Sequence, residues 1–177
     1  MHRMLIGVAT LATLALSGSA SAGPERIPFP DYKSDAFVTY MVVDRPDNKM
    51  ARFMYVNKSA LEAARSGQPA PDGTIIVMEN RSAAVDGEGN PRRDETGRFI
   101  ATDQVNALFV MQKQAGWGEA FPPDKRNGDW DYAQFQPADG TLRPNTNYEN
   151  CFNCHMSRAE RDFTFTFAKF LLDTKKM

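Results

Sequence analysis

The chain has 177 residues, of which 21 are Lys or Arg and 22 are Asp or Glu, so its formal net charge is −1. This balanced, scattered charge shows no basic stripe and argues against a nucleic-acid-binding protein. The length suits one domain with its own hydrophobic core, and no internal repeat or long low-complexity segment divides it.

The N-terminus has the pattern of a secretory signal peptide. A short basic start leads into an apolar run from Met4 to Leu16, and Ala20 to Ala22 supplies the small-x-small pattern that precedes a cleavage site. The apolar run is too short to span a bilayer comfortably, so an uncleaved anchor is the less favoured alternative. We therefore expect residues 1–22 to be removed and residues 23–177 to form a single soluble domain in the periplasm.

The first half of the mature chain alternates strand-like and turn-like segments. Strands are predicted where β-branched and aromatic residues concentrate, and turns where Pro, Gly, Asp and Asn cluster. A short helix from Lys58 to Ser66 follows the candidate N-cap Asn57 and stops at Gly67. Ser59 and Glu62 stand at capping-box spacing and compete with Asn57 as the cap. In chain order we predict an extended arm at 23–35, strands at 37–43 and 51–56, this helix, and a strand at 74–80.

The strand predicted at 74–80 is expected at the centre of the sheet, because both of its faces are mostly apolar. One face would hold Thr74, Ile76, Met78 and Asn80, and the other Ile75, Val77 and Glu79. Residues 81–97 are polar and Gly-rich, which predicts either a long hairpin or a mobile loop.

The second half continues the strand-rich pattern, so the sequence predicts a mainly β (α+β) domain with an antiparallel sheet and a few short helices. Phe163, Phe165 and Phe167 alternate with other residues, which is strand-like. The remaining predictions are strands at 99–102, 106–113, 117–121 and 129–136, an irregular stretch at 137–150, a helical turn at 158–162 and a short helix at 168–172.

The most specific motif is Cys151-Phe152-Asn153-Cys154-His155, a C-x-x-C-H run typical of c-type haem attachment. Two thiols at this spacing can form thioether bonds to the two vinyl groups of one porphyrin, and the adjacent His supplies the proximal iron ligand. The sequence therefore predicts one covalently attached haem c, with Cys151 and Cys154 as the attachment sites and His155 on the iron.

Other uses of the motif are less favoured. The mature chain has no further Cys or His, whereas a structural zinc site needs four such ligands. A thioredoxin-like dithiol would lie early in the chain, at the start of a βαβ unit. A redox dithiol and an accidental spacing remain as alternatives. The strand-rich domain before the motif also differs from an ordinary helical cytochrome c, which carries the motif near its N-terminus.

Several blocks together resemble the cytochrome P-460 family and its relative cytochrome c-prime-beta. These blocks are Tyr55-Val56-Asn57 with the following helix and Gly67, Pro71 to Glu79, Gly116-Trp117-Gly118, the C-x-x-C-H motif, and Asp162 to Thr166. The resemblance implies an antiparallel β-sheet domain that usually dimerises, and a five-coordinate or weakly six-coordinate haem with His155 proximal. It also implies a distal face that accepts a small ligand. Cytochrome P-460 proteins oxidise hydroxylamine, and cytochrome c-prime-beta is associated with nitric oxide binding.

One position departs from the family pattern. The haem of cytochrome P-460 proteins carries a covalent bond from a Lys that lies just before the Glu of the strand, and this chain has Met78 there. A thioether cannot supply the amine of that cross-link, which counts against hydroxylamine oxidation. Met78 either packs beside the haem, as Met does in irregular cores, or binds the iron as a sixth ligand that would raise the reduction potential.

Weaker candidates complete the site. Three aromatic residues, Phe53, Phe109 and Trp117, either wall an apolar distal pocket or belong to the ordinary core. Arg52, Glu79 and Glu119 either supply a polar or proton-handling group or make structural pairs. The three phenylalanines of the C-terminal alternation are expected to pack against the proximal side of the haem.

Three functions stay open on these grounds. The favoured one is a binding protein that takes nitric oxide or another small nitrogen oxide at an open iron position. The second is an enzyme, a haem oxidoreductase that acts on hydroxylamine or nitric oxide. The third is an electron carrier with Met on the iron, working with a redox partner cytochrome.

Overall fold

A computed structural model of the protein describes residues 22–174. The predicted signal peptide, apart from Ala22, lies outside these residues, so its prediction stays untested. Within residues 22–174, no helix is long and apolar enough to cross a membrane.

The domain is built on one antiparallel sheet of five strands in the order β1-β2-β3-β4-β5, each strand paired with its neighbour in sequence. Within residues 22–174, three short α-helices accompany the sheet, which confirms the predicted mainly β fold. The strands are β1 (Phe37–Arg45), β2 (Met50–Asn57), β3 (Ile75–Ala83), β4 (Ala101–Lys113) and β5 (Trp130–Phe135), and the helices are α1 (Lys58–Ala63), α2 (Glu149–Met156) and α3 (Phe167–Thr174).

β3 occupies the centre of the sheet, as its apolar faces predict. It pairs with β2 through Met54↔Met78 and with β4 through Met78↔Phe109. Because paired residues of an antiparallel ladder point to the same side, these three side chains share one face, and Val77 and Glu79 point to the other.

The two faces of the sheet carry separate cores. One face packs against the C-terminal helices through a cluster of Tyr40, Met54, Val56, Ala60, Ala70, Ile76, Met111, Trp130, Tyr132, Phe152 and Phe167. The other face is covered by the N-terminal arm, and its cluster contains Ile27, Tyr32, Tyr55, Val77, Leu108, Val110, Ala133 and Phe135.

Thirteen consecutive residues, 101–113, form β4, so the strands predicted at 99–102 and 106–113 belong to one element.

The polar segment between β3 and β4 is a hairpin extension and not an unpaired loop. Isolated bridges join Val85 to Pro91 and Arg93 to Phe99. Two Asp-initiated turns shape it, because the carboxylate of Asp86 accepts a hydrogen bond from the Asn90 backbone N–H at 2.8 Å and Asp94 accepts one from Arg98 at 3.0 Å.

The strand predicted at 117–121 is wrong, because Trp117–Ala120 forms a short 3-10 helix. Gly116 has φ 79°, a left-handed conformation that turns the chain out of the β region before Trp117. The Gly118 N–H then donates to the Asp129 carboxylate at 2.9 Å, which anchors this turn to the start of β5.

The strand-like alternation of Phe163, Phe165 and Phe167 is also wrong as a prediction of a strand. Asp162 and Phe163 have φ of 50° and 57°, which no strand accommodates. The Thr164 hydroxyl accepts a hydrogen bond from the Ala168 N–H at 3.2 Å, so the segment prepares the start of α3. The helix predicted at 168–172 is confirmed as α3.

α1 begins at the predicted residue but ends at Ala63, three residues before the predicted end. Asn57 occupies the N-cap position without a side-chain cap hydrogen bond. Its amide instead accepts from the Ile75 N–H at 2.8 Å and donates to the Gly73 carbonyl at 3.0 Å, so it joins the end of β2 to the start of β3.

A buried carboxylate fixes the N-terminal arm to the centre of the sheet. Glu79 is 0% exposed and accepts hydrogen bonds from Tyr32 Oη at 2.5 Å, Lys33 Nζ at 3.0 Å and Arg81 Nε at 2.5 Å. Tyr55 Oη adds a longer bond of 3.3 Å. Burial alone would raise the pKa of the Glu79 carboxyl, but these hydrogen bonds outweigh burial and hold the pKa below its ordinary value. Glu79 is therefore ionised at neutral pH.

We expect Glu79→Gln to lower the free energy of unfolding by about 2–3 kcal/mol at neutral pH, because it leaves Lys33 and Arg81 without a carboxylate partner. Lys33 is half-exposed, so solvent screening makes its share of this loss small. The folded pKa of Glu79 lies below the unfolded one, so its stabilisation is present above the unfolded pKa of about 4.3 and is lost as pH falls through the folded pKa. Urea unfolding of both proteins at pH ~7 and pH ~3 measures this.

Tyr55→Phe is the matched control. It removes the 3.3 Å bond to Glu79 and the 2.7 Å bond that Tyr55 Oη accepts from Lys33, but it leaves the carboxylate in place, so it should cost less than Glu79→Gln. An equal loss of stability for Glu79→Gln at both pH values would contradict the ionic role.

Candidate functional site

The C-x-x-C-H motif lies on α2, where Cys151, Cys154 and His155 stand at i, i+3 and i+4. Residues at these spacings share one helix face, and all three line a single cavity of about 620 Å³. Phe152 points away and is buried against Phe121 and Tyr132, with ring centroids 4.7 and 4.8 Å apart. The packing of Phe152 therefore orients the reactive face of the helix toward the cavity.

Both cysteines are free thiols. Cys151 is half-buried and Cys154 is exposed at the cavity edge. Burial, and secondarily the neighbouring Cys154, raises the pKa of the Cys151 thiol above its ordinary value. The pair thus presents two sulfur atoms on one wall, one deep and one shallow.

His155 is held in a defined tautomer and orientation. Its Nδ1 lies 2.6 Å from the Phe163 carbonyl oxygen. A carbonyl only accepts hydrogen bonds, so Nδ1 carries the proton and Nε2 keeps its lone pair. Burial lowers the pKa of His155, opposed by the Phe163 hydrogen bond, so the ring is neutral at neutral pH. An imidazole whose other nitrogen donates to a backbone carbonyl is the usual arrangement of a metal-ligating His.

A clamp to the sheet presents the Phe163 carbonyl. The backbone turns through two left-handed residues, Asp162 and Phe163. The Asp162 carboxylate accepts hydrogen bonds from Lys113 Nζ at 3.0 and 3.1 Å and from the Ala70 N–H at 2.8 Å. Lys113 ends β4, so an ion pair to the sheet positions the carbonyl that orients His155.

Aromatic rings enclose the imidazole. The Tyr132 ring centroid lies 4.8 Å from that of His155, and Phe165 meets it edge-on at 5.1 Å. Asn127 is fully buried and donates to Tyr132 Oη at 2.9 Å and to the Phe152 carbonyl at 3.1 Å. Burial raises the pKa of Tyr132, although its Asn127 hydrogen bond acts in the other direction, so the phenol stays neutral.

The sheet forms the other wall of the cavity, and this wall is largely apolar. Met54, Met78 and Phe109 pair across β2, β3 and β4 and all line the cavity. Met111 and Ile76 extend this surface. Among the described residues that line the cavity, the only charged side chains are Arg45 and Arg52. Met78 therefore shares a cavity with the cysteines and the histidine.

Four of the weaker candidates lie away from the cavity. Phe53 packs beneath Arg81 on the opposite face of the sheet, and Trp117 lies beneath Arg26 with the guanidinium 4.3 Å from the ring. Glu79 belongs to the buried network described above, and Glu119 is exposed. Phe109 and Arg52 do line the cavity. Of the three C-terminal phenylalanines, Phe165 touches His155, whereas Phe167 packs on Tyr40.

Sequence reasoning missed Arg45, Tyr132 and the Lys113–Asp162 clamp. Strand alternation places Arg45 on the face of Val43 and so gives a signal for that residue. No sequence pattern points to the clamp, because it depends on two left-handed non-glycine residues and on a partner about fifty positions away.

The donor set fits a haem. Two free thiols, one neutral imidazole with an available Nε2 and an apolar opposing wall meet in a cavity whose size lies within the ~300–1,000 Å³ typical of cofactor sites. In residues 22–174, no three His, Cys, Asp or Glu side chains converge to hold a metal ion by themselves.

Comparison with known proteins agrees with this geometry. The sequence model of the family described as Cytochrome P460 matches residues 30–166, most of the chain. Comparison with curated proteins gives no match. The matched segment contains the whole sheet, the C-x-x-C-H motif and the clamp, and it confirms the resemblance drawn from the sequence. The chain therefore belongs to the Cytochrome P460 family and is a haem protein.

Proposed function

We propose that the protein is a monohaem c-type cytochrome that binds a small nitrogen-oxide ligand, nitric oxide, at an open haem face. The observation that carries this proposal is the Nδ1–H hydrogen bond from His155 to the Phe163 carbonyl, which leaves Nε2 free beside two thiols on one cavity wall. Cys151 and Cys154 would hold the haem through thioether bonds, and His155 would bind its iron.

A haem held by these residues would supply an iron to which a diatomic ligand could bind. The residues opposite α2 then decide which ligand is favoured. Met54, Met78 and Phe109 exclude water and offer no hydrogen-bond donor to a bound anion. An uncharged diatomic molecule suits such a surface.

Hydroxylamine oxidation has less support. Removing electrons from an N–H and O–H substrate also requires the removal of protons, and no Asp, Glu or Lys of the described residues lines the cavity. The Lys that forms the porphyrin cross-link in the family is Met78 here.

Electron transfer is the second candidate function, and a specific observation favours it. Three thioether side chains, those of Met54, Met78 and Met111, line the cavity. Met with His is a common axial pair in electron-transfer cytochromes, where the thioether raises the potential. A redox partner cytochrome would then exchange electrons with this protein.

The signal-like N-terminus supports export to the periplasm, with cleavage before Gly23. We propose that the mature protein works there as a soluble homodimer, as the family resemblance implies.

The cysteine assignment predicts covalent attachment. Wild-type protein expressed with c-type haem maturation should keep its haem after acid–acetone extraction, with the pyridine haemochrome spectrum of two thioether bonds. Cys151→Ala and Cys154→Ala should each shift that spectrum toward one remaining vinyl group, and the double variant should release the haem. Haem retained by the double variant would contradict the assignment.

The optical spectrum of the ferrous protein, with and without nitric oxide, tests the ligand. We expect a high-spin haem that binds nitric oxide, and Met78→Leu should leave both spectra nearly unchanged because Leu preserves the apolar wall. A low-spin wild-type spectrum that becomes high-spin in Met78→Leu would establish Met ligation and favour electron transfer. Met54→Leu and Met111→Leu are the matched controls for the other two thioethers.

The clamp predicts a positioning role for Asp162. Asp162→Asn keeps a residue type that tolerates a left-handed φ, but it removes the charge paired with Lys113. The Phe163 carbonyl should then hold His155 less firmly, so we expect a lower iron–histidine stretching frequency in the resonance Raman spectrum of the ferrous protein. Asp139→Asn, in an exposed turn with Thr141, is the control and should leave the frequency unchanged. An unchanged frequency in Asp162→Asn would show that the clamp does not act on His155.

A further inference from the structure

Two arginines enter the cavity from the edge of the sheet. Arg45 ends β1 and Arg52 lies on β2, where Arg52 pairs with Val43. Arg45 is two residues beyond Val43, so the two arginines are diagonal neighbours on one face of the ladder, a separation of about 7–8 Å between backbones. Both line the cavity that the C-x-x-C-H motif also lines.

Neither arginine has an acidic partner among the described residues. Arg52 Nε donates to the Asn80 side-chain oxygen at 2.9 Å, and its two Nη nitrogens have no protein acceptor. The side chain of Arg45 makes no hydrogen bond or ion pair within residues 22–174. By contrast, the structural arginines Arg26 and Arg81 each lie within 2.7 Å of a carboxylate oxygen.

The charge and position of these two arginines suit a bound anion. Both guanidinium groups are half-buried, and burial together with the charge of Arg45 lowers the pKa of Arg52. No Asp or Glu of the described residues lines the cavity to offset the two positive charges. Like charges at this separation repel, and a guanidinium fork matches a planar carboxylate or oxyanion in two hydrogen bonds.

We propose that Arg45 and Arg52 form an anion-binding site for the two propionate carboxylates of the haem. The inference rests on the proposed function, because it takes a haem in this cavity as given. Two carboxylates match two guanidinium groups in number and charge, and Asn80 holds Arg52 in place while leaving its Nη nitrogens available. A free planar oxyanion such as nitrite has the same chemistry, so the test separates the two sources.

The experiment compares wild-type holoprotein with Arg45→Gln, Arg52→Gln, the double variant and Arg52→Lys. Arg92→Gln, at an exposed position of the hairpin extension outside the cavity, is the control. Thioether bonds retain the haem in every variant, so each can be measured loaded. The readouts are the propionate-bending band in the resonance Raman spectrum, the midpoint potential as a function of pH, and the affinity for nitrite.

We expect the propionate band to shift in each Gln variant, and further in the double variant. The midpoint potential should fall and become more dependent on pH, because an unpaired propionate favours ferric iron and is protonated more readily. Arg52→Lys should keep most of the potential while shifting the band, since it keeps the charge but not the fork. Arg92→Gln should resemble wild type, and nitrite affinity should change less than twofold throughout.

Two results would overturn the inference and leave the proposed function intact. An unchanged propionate band in the double variant would place the propionates elsewhere. An unchanged band together with a large loss of nitrite affinity would identify a free anion as the occupant. A wild-type protein without covalent haem would instead refute the proposed function, and with it the inference.

Discussion

The hydrogen bond from His155 Nδ1 to the Phe163 carbonyl is the interaction on which the candidate site depends. It sets the tautomer of the histidine, which lines the cavity, and leaves the lone pair of Nε2 available. The carbonyl takes up this position because two consecutive left-handed residues reverse the chain, and Lys113 at the end of β4 holds Asp162 there. The sheet thus determines the orientation of His155, which is carried by a helix about forty residues farther along the chain than Lys113.

A second constraint acts through the register of β3. Met78 and Glu79 are adjacent, so one faces the cavity and the other faces the N-terminal arm. A slip of one residue would bring a carboxylate into the apolar wall and bury a methionine among Tyr32, Lys33 and Arg81. The Glu79 hydrogen bonds oppose that slip, because they require the carboxylate on the face of the arm. The hydrogen bonds of Glu79 on one face of the sheet therefore keep Met78 in the cavity wall on the other face.

These features explain which parts of the molecule the sequence could predict. Local periodicity placed the strands and the central position of β3, since burial on both faces leaves a direct mark on composition. The C-x-x-C-H motif pointed to Cys151, Cys154 and His155 because c-type haem attachment requires two thiols and an imidazole at this spacing. The alternation of Phe163, Phe165 and Phe167 did not predict the structure correctly. Phe163 is left-handed and the Thr164 hydroxyl accepts a hydrogen bond from the Ala168 N–H, so the segment is not a strand although its sequence has a period of two. The strand predicted from Trp117 was also wrong, because the left-handed Gly116 turns the chain into a 3-10 helix. The Lys113–Asp162 pair joins residues 49 positions apart, and nothing local to either residue encodes that contact.

One part of the cavity wall is apolar and another part is positively charged, and this distribution bears on function. The surface formed by Met54, Met78 and Phe109 offers neither a base nor a charge. Arg45 on β1 and Arg52 on β2 bring two positive charges to the same face. A haem has a matching asymmetry, because its porphyrin ring is largely apolar and its two propionate carboxylates at one edge are negatively charged. The propionates would then pair with the arginines, and the space opposite His155 would be left to uncharged ligands. Met78 stands where the family resemblance implies a Lys, and it strengthens this division, since a primary amine on β3 would add both a proton carrier and a third positive charge to the apolar wall. Binding of a neutral diatomic molecule without proton transfer is the chemistry that such a wall favours.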